Sequence, residues 1–295
     1  MSISSLTIIG ERINPGFRST QALFEHEDFD GLQALAIRQA QAGASYLNIN
    51  AGIKTLSSPE FLAELVRRIQ AVVDLPLSLD CADPSVLEAA LRAYDPGRAS
   101  GRKPVINSIA ASRWGLREII RIRPCKVIVM TAERLVEGSV VACKTGGQVH
   151  ASAREMIGAL KSENAGMRNE DFFVDVSIST LAADTEGLIR MALDAVRLVH
   201  DDADLAGVHI MGGLSNLPQH LPPKAVDGSD LKHQLECAFL SVAMPLGFDT
   251  VLGTPWRGYA LLADDNFVLR HFRQIIAAHG YDALMAVMKL YDKTA

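Results

Sequence analysis

The sequence predicts a (β/α)8 TIM barrel, and three observations lead there. Short apolar runs alternate with longer segments of helical periodicity eight times along the chain. The chain has 295 residues, and a barrel of this kind takes about 250, which leaves room for added loops. No linker or low-complexity segment and no change of composition divides it, so residues 1–295 read as one domain. Parallel strands joined by right-handed crossovers close most economically into a ring, with a doubly wound open sheet as the alternative.

The strands expected, in order, are residues 6–10, 46–50, 77–80, 105–107, 127–130, 172–176, 208–211 and 250–252. The helices between and after them are 31–42, 59–72, 84–94, 113–121, 151–165, 185–200, 230–244 and 264–279. Ser58-Pro59 and Asp83-Pro84 each place a capping side chain before a proline at the first helical position. Gly43 stands where the first helix stops, and Gly10 and Gly52 read as tight-turn glycines. Two stretches exceed the minimal unit: 95–103, rich in Gly, Pro and Arg, and 132–148, between the fifth strand and its helix. Residues 281–292 read as a short helical extension outside the barrel.

Composition excludes several classes. A net charge of −5 argues against a nucleic-acid binder, which needs a basic surface. Residues 1–10 carry no basic side chain and do not read as a signal peptide. No apolar stretch approaches the roughly 20 residues that span a bilayer. Cys81, Cys125, Cys143 and Cys237 are scattered without paired spacing, so the expectation is a reduced, cytoplasmic protein without structural disulfides. The histidines do not cluster with the cysteines, so no zinc site, and no other metal site, is expected.

In this fold chemistry sits at the C-terminal ends of the strands. The polar residues there are Glu11 and Asn14 after the first strand, Asn48 and Asn50 on the second, Asp80 on the third and Asn107 on the fourth. Thr131 ends the fifth, Asp175 lies on the sixth, and the seventh runs into Gly213-Leu214-Ser215-Asn216-Leu217-Pro218-Gln219. This ring is rich in amides and carboxylates, poor in cations, and holds no activated nucleophile. It suits a neutral heterocycle bearing several N–H groups, and a pterin is such a ligand. A carboxylate accepts from the pterin N3–H and 2-amino group together, while asparagine both donates and accepts.

The bland reading of any one of these residues, a helix cap or an Asx turn, has about equal weight. Asp83 is better placed than Asp80 to cap before Pro84, which leaves Asp80 to point into the mouth. Ser108 is placed to cap the next helix and free Asn107. Asp175 stands in the otherwise apolar run 172–178, where a carboxylate is costly unless paired or ligand-bound. His209 alternates within its strand and reads as a satisfied interior residue, whereas His220 lies on an active-face loop.

Ile9-Gly10-Glu11-Arg12-Ile13-Asn14 resembles the opening signature of the methyltetrahydrofolate:corrinoid methyltransferases, members of the pterin-binding barrel superfamily that also contains dihydropteroate synthase. The resemblance continues, in family order, at residues 47–52, 79–80, 106–108, 174–175 and 213–216, with Gln219 three residues further on. It implies that Asp80, Asn107 and Asp175 hold the pterin ring, with Glu11, Asn14, Asn50, Gly213 and Ser215 around it. It further implies that Asn216 contacts the reactive N5 and that Gln219 is its neighbouring amide.

The implied activity moves a methyl group between N5 of tetrahydrofolate and a corrinoid cobalt, in a direction the sequence leaves open. An amide does not titrate, so the N5 proton comes through water or a carboxylate network that includes Asp80. The substrate is tetrahydrofolate or its 5-methyl form. The corrinoid (cobalamin) is expected on a separate protein that docks transiently at a mouth with few fixed cations, because the eight units leave no room for a cobalamin domain. A folate tail is anionic, so any tail site has to be a local basic patch. The resemblance also implies a homodimer. Dihydropteroate synthase needs cations for a diphosphate, in a Ser-Arg-Lys sequence after the seventh strand, where this chain reads Ser215-Asn216-Leu217. A non-catalytic pterin-binding protein is the third reading.

Overall fold

A computed structural model describes residues 3–292. Its strands, in chain order, are β1 (Thr7–Ile13), β2 (Tyr46–Asn50), β3 (Leu77–Asp80), β4 (Val105–Ala110), β5 (Lys126–Met130), β6 (Glu133–Val136), β7 (Ser139–Ala142), β8 (Phe172–Asp175), β9 (His209–Gly213) and β10 (Thr250–Gly253). Eight of them form a closed parallel barrel in the order β1-β2-β3-β4-β5-β8-β9-β10, and β10 pairs back to β1. β6 and β7 make a separate antiparallel hairpin, so the 132–148 stretch is a β-ribbon that leads into a helix.

The helices are α1 (Gln21–Glu25), α2 (Phe29–Gln41), α3 (Lys54–Ser57), α4 (Phe61–Gln70), α5 (Pro84–Ala93), α6 (Gly146–Glu163), α7 (Leu188–His200), α8 (Leu231–Ala243), α9 (Phe267–Ala277) and α10 (Gly280–Met288). The crossover after β4 is a 3-10 segment, Ala111–Arg121, broken at Arg113. Side-chain caps set several starts: Asp28, Asp83, Thr145, Asp230 and Asn266 each accept from a backbone N–H in the first turn.

Two layers of packing follow from strand alternation. Outward residues such as Leu47, Leu79, Ile106, Val127 and Val174 join the large core under the helices. Inward residues Ile9, Val105, Ile128, Phe173 and Met211 form a second, separate core, with Tyr46 and Leu252 against it. This plug fills the barrel interior. Two residues further along each strand the side chain again faces inward, now above the plug. Those positions hold Glu11, Asn48, Asn107, Met130, Asp175 and Gly213. Below the plug, His209 stacks on Phe173 at 4.8 Å and pairs with Asp249 at 2.9 Å, so it is satisfied as expected, but at the partly exposed bottom of the barrel rather than in its interior.

Several local expectations are corrected. Glu60, not Ser58, precedes α4, because Ser58 closes the short helix α3. Gly10 lies inside β1 rather than in a turn; a Cβ there would stand 2.6 Å from Gln39 Oε1, which accepts from the Arg12 N–H at 3.0 Å. Ser108 caps nothing: Ala110 precedes the 3-10 segment. The extra C-terminal helix ends at Met288.

Gly146 allows the start of α6 to touch α7. A Cβ there would lie 2.6 Å from Asp194 Cβ and 2.8 Å from the Ala195 backbone N, whereas at Gly147 the nearest atom is 3.9 Å away. Gly146→Ala should therefore lower stability by about 1–3 kcal/mol through overpacking, and Gly147→Ala should leave it nearly unchanged. Urea midpoints at constant m-value measure both, and equal midpoints for the two variants would remove Gly146 as a packing determinant.

Candidate active site

Above the plug, β2, β3 and β4 present a connected polar network. Asn48 is buried at its centre. Its Oδ1 accepts from Ser78 Oγ at 2.9 Å and from Asn107 Nδ2 at 3.0 Å, and its Nδ2 donates to Asp80 Oδ2 at 3.1 Å. Asn107 is therefore held by Asn48 rather than free, and its side-chain Oδ1 has no hydrogen-bond partner among the described residues. Burial pushes the Asp80 carboxyl above its ordinary range, against hydrogen bonds from Asn50 and Asn48 and the nearby Arg113 charge. The break at Arg113 brings its guanidinium over the mouth, where Nη2 donates to Ser108 Oγ at 2.9 Å and lies 3.2 Å from Met130 Sδ.

Asp175 ends β8 between Met130 and Met211 in register. Its Oδ1 accepts from the Ser177 N–H at 2.7 Å, and burial pushes the carboxyl up to about 6. Thr131 is not a mouth group, because its hydroxyl donates to the Asp175 backbone carbonyl at 3.0 Å and ties β5 to β8. Past Asp175 the chain turns at Ser177, whose φ is +58°. The hydroxyls of Ser177 and Ser179 are buried with no hydrogen-bond partner among the described residues. An unmade bond of this kind costs about 1–3 kcal/mol.

The other half of the mouth is built by β1, β9 and β10. Both Glu11 carboxylate oxygens are occupied, by Ser215 Oγ at 2.8 Å and Thr254 Oγ1 at 2.9 Å. Glu11 and Ser215 thus lock three strand ends together. Burial raises the Glu11 pKa, opposed by those two hydroxyls and then by Arg12 and Arg257. On the loop after β9, Gln219 Nε2 donates to Asn216 Oδ1 at 2.9 Å, which leaves the Asn216 amide N–H groups to point elsewhere. Gly213 has no side chain where the Asn216 amide approaches: its Cβ would lie 3.0 Å from Nδ2. Asn14 and Asn50 form turns through Oδ1, to the Gly16 and Gly52 N–H groups at 2.8 and 2.7 Å. Asn50 keeps a second contact with Asp80.

A cavity of about 450 Å³ opens between these loops, with Arg12, Lys232 and Arg257 in its wall. The expectation of a cation-poor mouth is thereby corrected. The three cations come from β1, from the start of α8 and from beyond β10, and only folding brings them together. Arg257 is paired with Glu236 (Nε to Oε2, 2.9 Å). Burial outweighs that pair and pushes the Glu236 carboxyl up to about 7. Sequence reading passed over Ser78, Arg113, Lys232, Glu236 and Arg257. Two had a signal: Ser78 lies two residues before Asp80 on one strand, and Glu236 is a lone carboxylate among the apolar residues of α8. Among the described residues no group of three or more His, Cys, Asp or Glu is arranged to hold a metal ion, and no helix is long and apolar enough to cross a membrane.

Residues 11–252, from Glu11 in β1 to Leu252 in β10, match the model of the pterin binding enzyme family. The chain belongs to this family. This pterin-binding enzyme is 22% identical over 258 residues to a methylcorrinoid:tetrahydrofolate methyltransferase of Eubacterium limosum, with 85% of each chain covered. Its fold is that of dihydropteroate synthase. The Xanthomonas albilineans enzyme with 4-aminobenzoic acid matches with a TM-score of 0.59 at 18% identity, over 94% of this chain and 96% of that one. The Thermus thermophilus enzyme in complex with 6HMPPP matches with a TM-score of 0.55 at 14% identity, over 87% of this chain and 91% of that one.

The raised Asp175 pKa has a measurable consequence for the ligand-free protein. A carboxyl whose folded pKa exceeds its unfolded value of 3.8 disfavours folding when ionised. The penalty is absent below 3.8, grows as pH rises, and is complete above about 6. Asp175→Asn should therefore be more stable than the parent protein at pH 8, with the difference shrinking as pH falls from about 6 towards 4. Denaturant melts across that range check it; a difference independent of pH would show that Asp175 is not desolvated.

Proposed function

We propose that this pterin-binding enzyme transfers a methyl group between N5 of tetrahydrofolate and the cobalt of a corrinoid carried by a separate protein. The observation that carries this reading is the loop after β9. Where a diphosphate-binding relative needs cations, it offers the amides of Asn216 and Gln219, held against each other at 2.9 Å. The similarity to a methylcorrinoid:tetrahydrofolate methyltransferase supports the same reading.

The pterin ring lies over the plug. Asp175 accepts from N3–H and the 2-amino group, a bidentate charge-assisted pair. The side-chain Oδ1 of Asn107 and the Asp80 carboxyl meet the remaining ring edge, both fixed by Asn48. Glu11, Ser215, Asn14 and Gly213 shape the loops around the ring, and Asn50 orients Asp80.

When the methyl leaves, the N5–carbon bond breaks and its electron pair stays on N5, while cobalt(I) supplies the pair for the new bond. N5 must gain a proton or a strong hydrogen bond for this to occur. Asn216 donates to N5, its orientation set by Gln219. Burial raises the pKa of Asp80, which makes its carboxyl a better proton holder than an ordinary aspartate, with water relaying the proton. The reverse transfer uses the same contacts.

Mixing the protein with 5-methyltetrahydrofolate and cobalt(I) cobalamin should give the methylcobalt(III) spectrum. A mixture of dihydropterin diphosphate and p-aminobenzoate should give no product. Product from the second mixture and none from the first would replace this reading with the synthase. Binding without turnover on any reduced corrinoid would replace it with a pterin-binding protein.

Asp175→Asn should weaken 5-methyltetrahydrofolate binding by about 1.5–3 kcal/mol, the worth of a hydrogen bond to a charged group. Because the ligand takes the ionised carboxylate, parental affinity should be level above pH 6 and fall about tenfold per unit below it, whereas the variant should be flat. Calorimetric titration at several pH values reads both, and parental affinity in the variant would discard the bidentate contact.

Asn216→Ala should lower the single-turnover rate more than it weakens binding, because its contact strengthens as charge develops on N5. An unchanged rate with much poorer binding would reduce Asn216 to an ordinary ligand contact.

A further inference from the structure

β1 carries one residue more than its neighbour in the ring. From Gly10 to Ile13 it advances three residues, while β2 advances two, from Leu47 to Ile49. The extra residue makes a β-bulge, which bends a strand and re-aims its side chains. Ile9 lies in the plug and Gly10 faces α2, so strict alternation would turn Glu11 inward, Arg12 outward and Ile13 inward again. Instead Glu11 and Arg12, neighbours in sequence, both line the mouth cavity, and Ile13 is fully buried in the core under the helices.

The bulge has a fixed point outside the sheet. The Arg12 backbone N–H donates to Gln39 Oε1 at 3.0 Å, across 27 positions of chain. Gln39 belongs to α2 and is fully buried. Its Nε2 is buried without a partner among the described residues. An apolar residue would avoid that cost in this layer, so packing does not account for a glutamine. What Gln39 supplies is one acceptor at the residue the bulge displaces. Gly10 makes the room for it: a Cβ there would stand 2.6 Å from Oε1. Glu11, beside Arg12, accepts from Ser215 Oγ at 2.8 Å and Thr254 Oγ1 at 2.9 Å, and Ser215 directly precedes Asn216.

We propose that Gln39 is a positioning residue: it holds the β1 bulge that turns Glu11 and Arg12 together into the mouth, and through Glu11 it sets the loop that carries Asn216. The inference rests on the function proposed above for the role of Asn216. Gln39 lies outside the barrel and touches no substrate. The groups that hold the ring stand on β3, β4 and β8, away from this chain of contacts, so Gln39 governs transfer rather than ring binding.

Two variants of the intact protein break the bond by different routes. Gln39→Met removes the acceptor at similar length, and Gly10→Ala displaces Gln39 without altering it. Hydrogen–deuterium exchange resolved at the Arg12 amide reads the anchor directly, and exchange there should be faster in both variants than in the parent protein. Single-turnover methyl transfer from 5-methyltetrahydrofolate to cobalt(I) cobalamin should fall roughly ten- to a hundredfold in both, the scale of a small misplacement near reacting atoms. Calorimetric affinity for 5-methyltetrahydrofolate should stay close to the parental value. In a Glu11→Ala background Gln39→Met should cost little further rate, because both act through one chain of contacts. Should Gln39→Met fail to fold, Gly10→Ala carries the same three comparisons. Unchanged exchange at Arg12, equal losses of rate and affinity, or a loss that adds in full to that of Glu11→Ala would each overturn the positioning role. A parent protein that transfers no methyl group would remove the function proposed above and the link to Asn216 with it, while exchange at Arg12 would still decide whether Gln39 anchors the bulge.

Discussion

Closing eight strands into a ring leaves space for only a few side chains at each level of the interior, and everything at the mouth depends on how that space is filled. Here five inward residues with Tyr46 and Leu252 complete one apolar plug. The next inward level therefore has a solid floor beneath it and an opening above. Side chains at that level are too crowded for bulk water and too near the opening to be core. Polar groups there must satisfy one another or a ligand, and the network through Asn48 is the result.

That constraint explains the charge behaviour. Asp80 and Asp175 share the desolvation that raises a carboxyl pKa, but their neighbours differ. Asp80 has two amides and a guanidinium to offset burial. Asp175 has one backbone N–H, and its pKa is lifted to about 6. A site with one carboxylate partly compensated by its neighbours and another with a single backbone donor favours a ligand that brings N–H donors to the second.

The mouth has two halves because the ring has two kinds of neighbour. On β2, β3, β4 and β8 the polar groups belong to the strands themselves, so their spacing is fixed by the sheet. On β1, β9 and β10 they belong largely to the loops beyond the strands and to α8, and Glu11 holds those loops to the barrel. A heterocycle of fixed shape suits the first half. The second carries Arg12, Lys232 and Arg257.

The sequence by itself determined where the eight barrel strands lie, because apolar runs and period-two alternation are local; residues 46–50 and 77–80 coincide with β2 and β3, whereas the exposed β6–β7 hairpin was not expected. It also determined that Asp80 is spared capping duty, since Asp83 sits beside Pro84 and takes the first-turn N–H groups. Only the tertiary structure decided which of the polar strand ends act together. Asn48 reaches Asn107 across 59 positions of chain, and Glu11 reaches Thr254 across 243, and neither pairing leaves a trace in local composition. The same holds for the cations. Arg12, Lys232 and Arg257 lie far apart along the chain. They become one cavity wall only because closure sets the last strand beside the first.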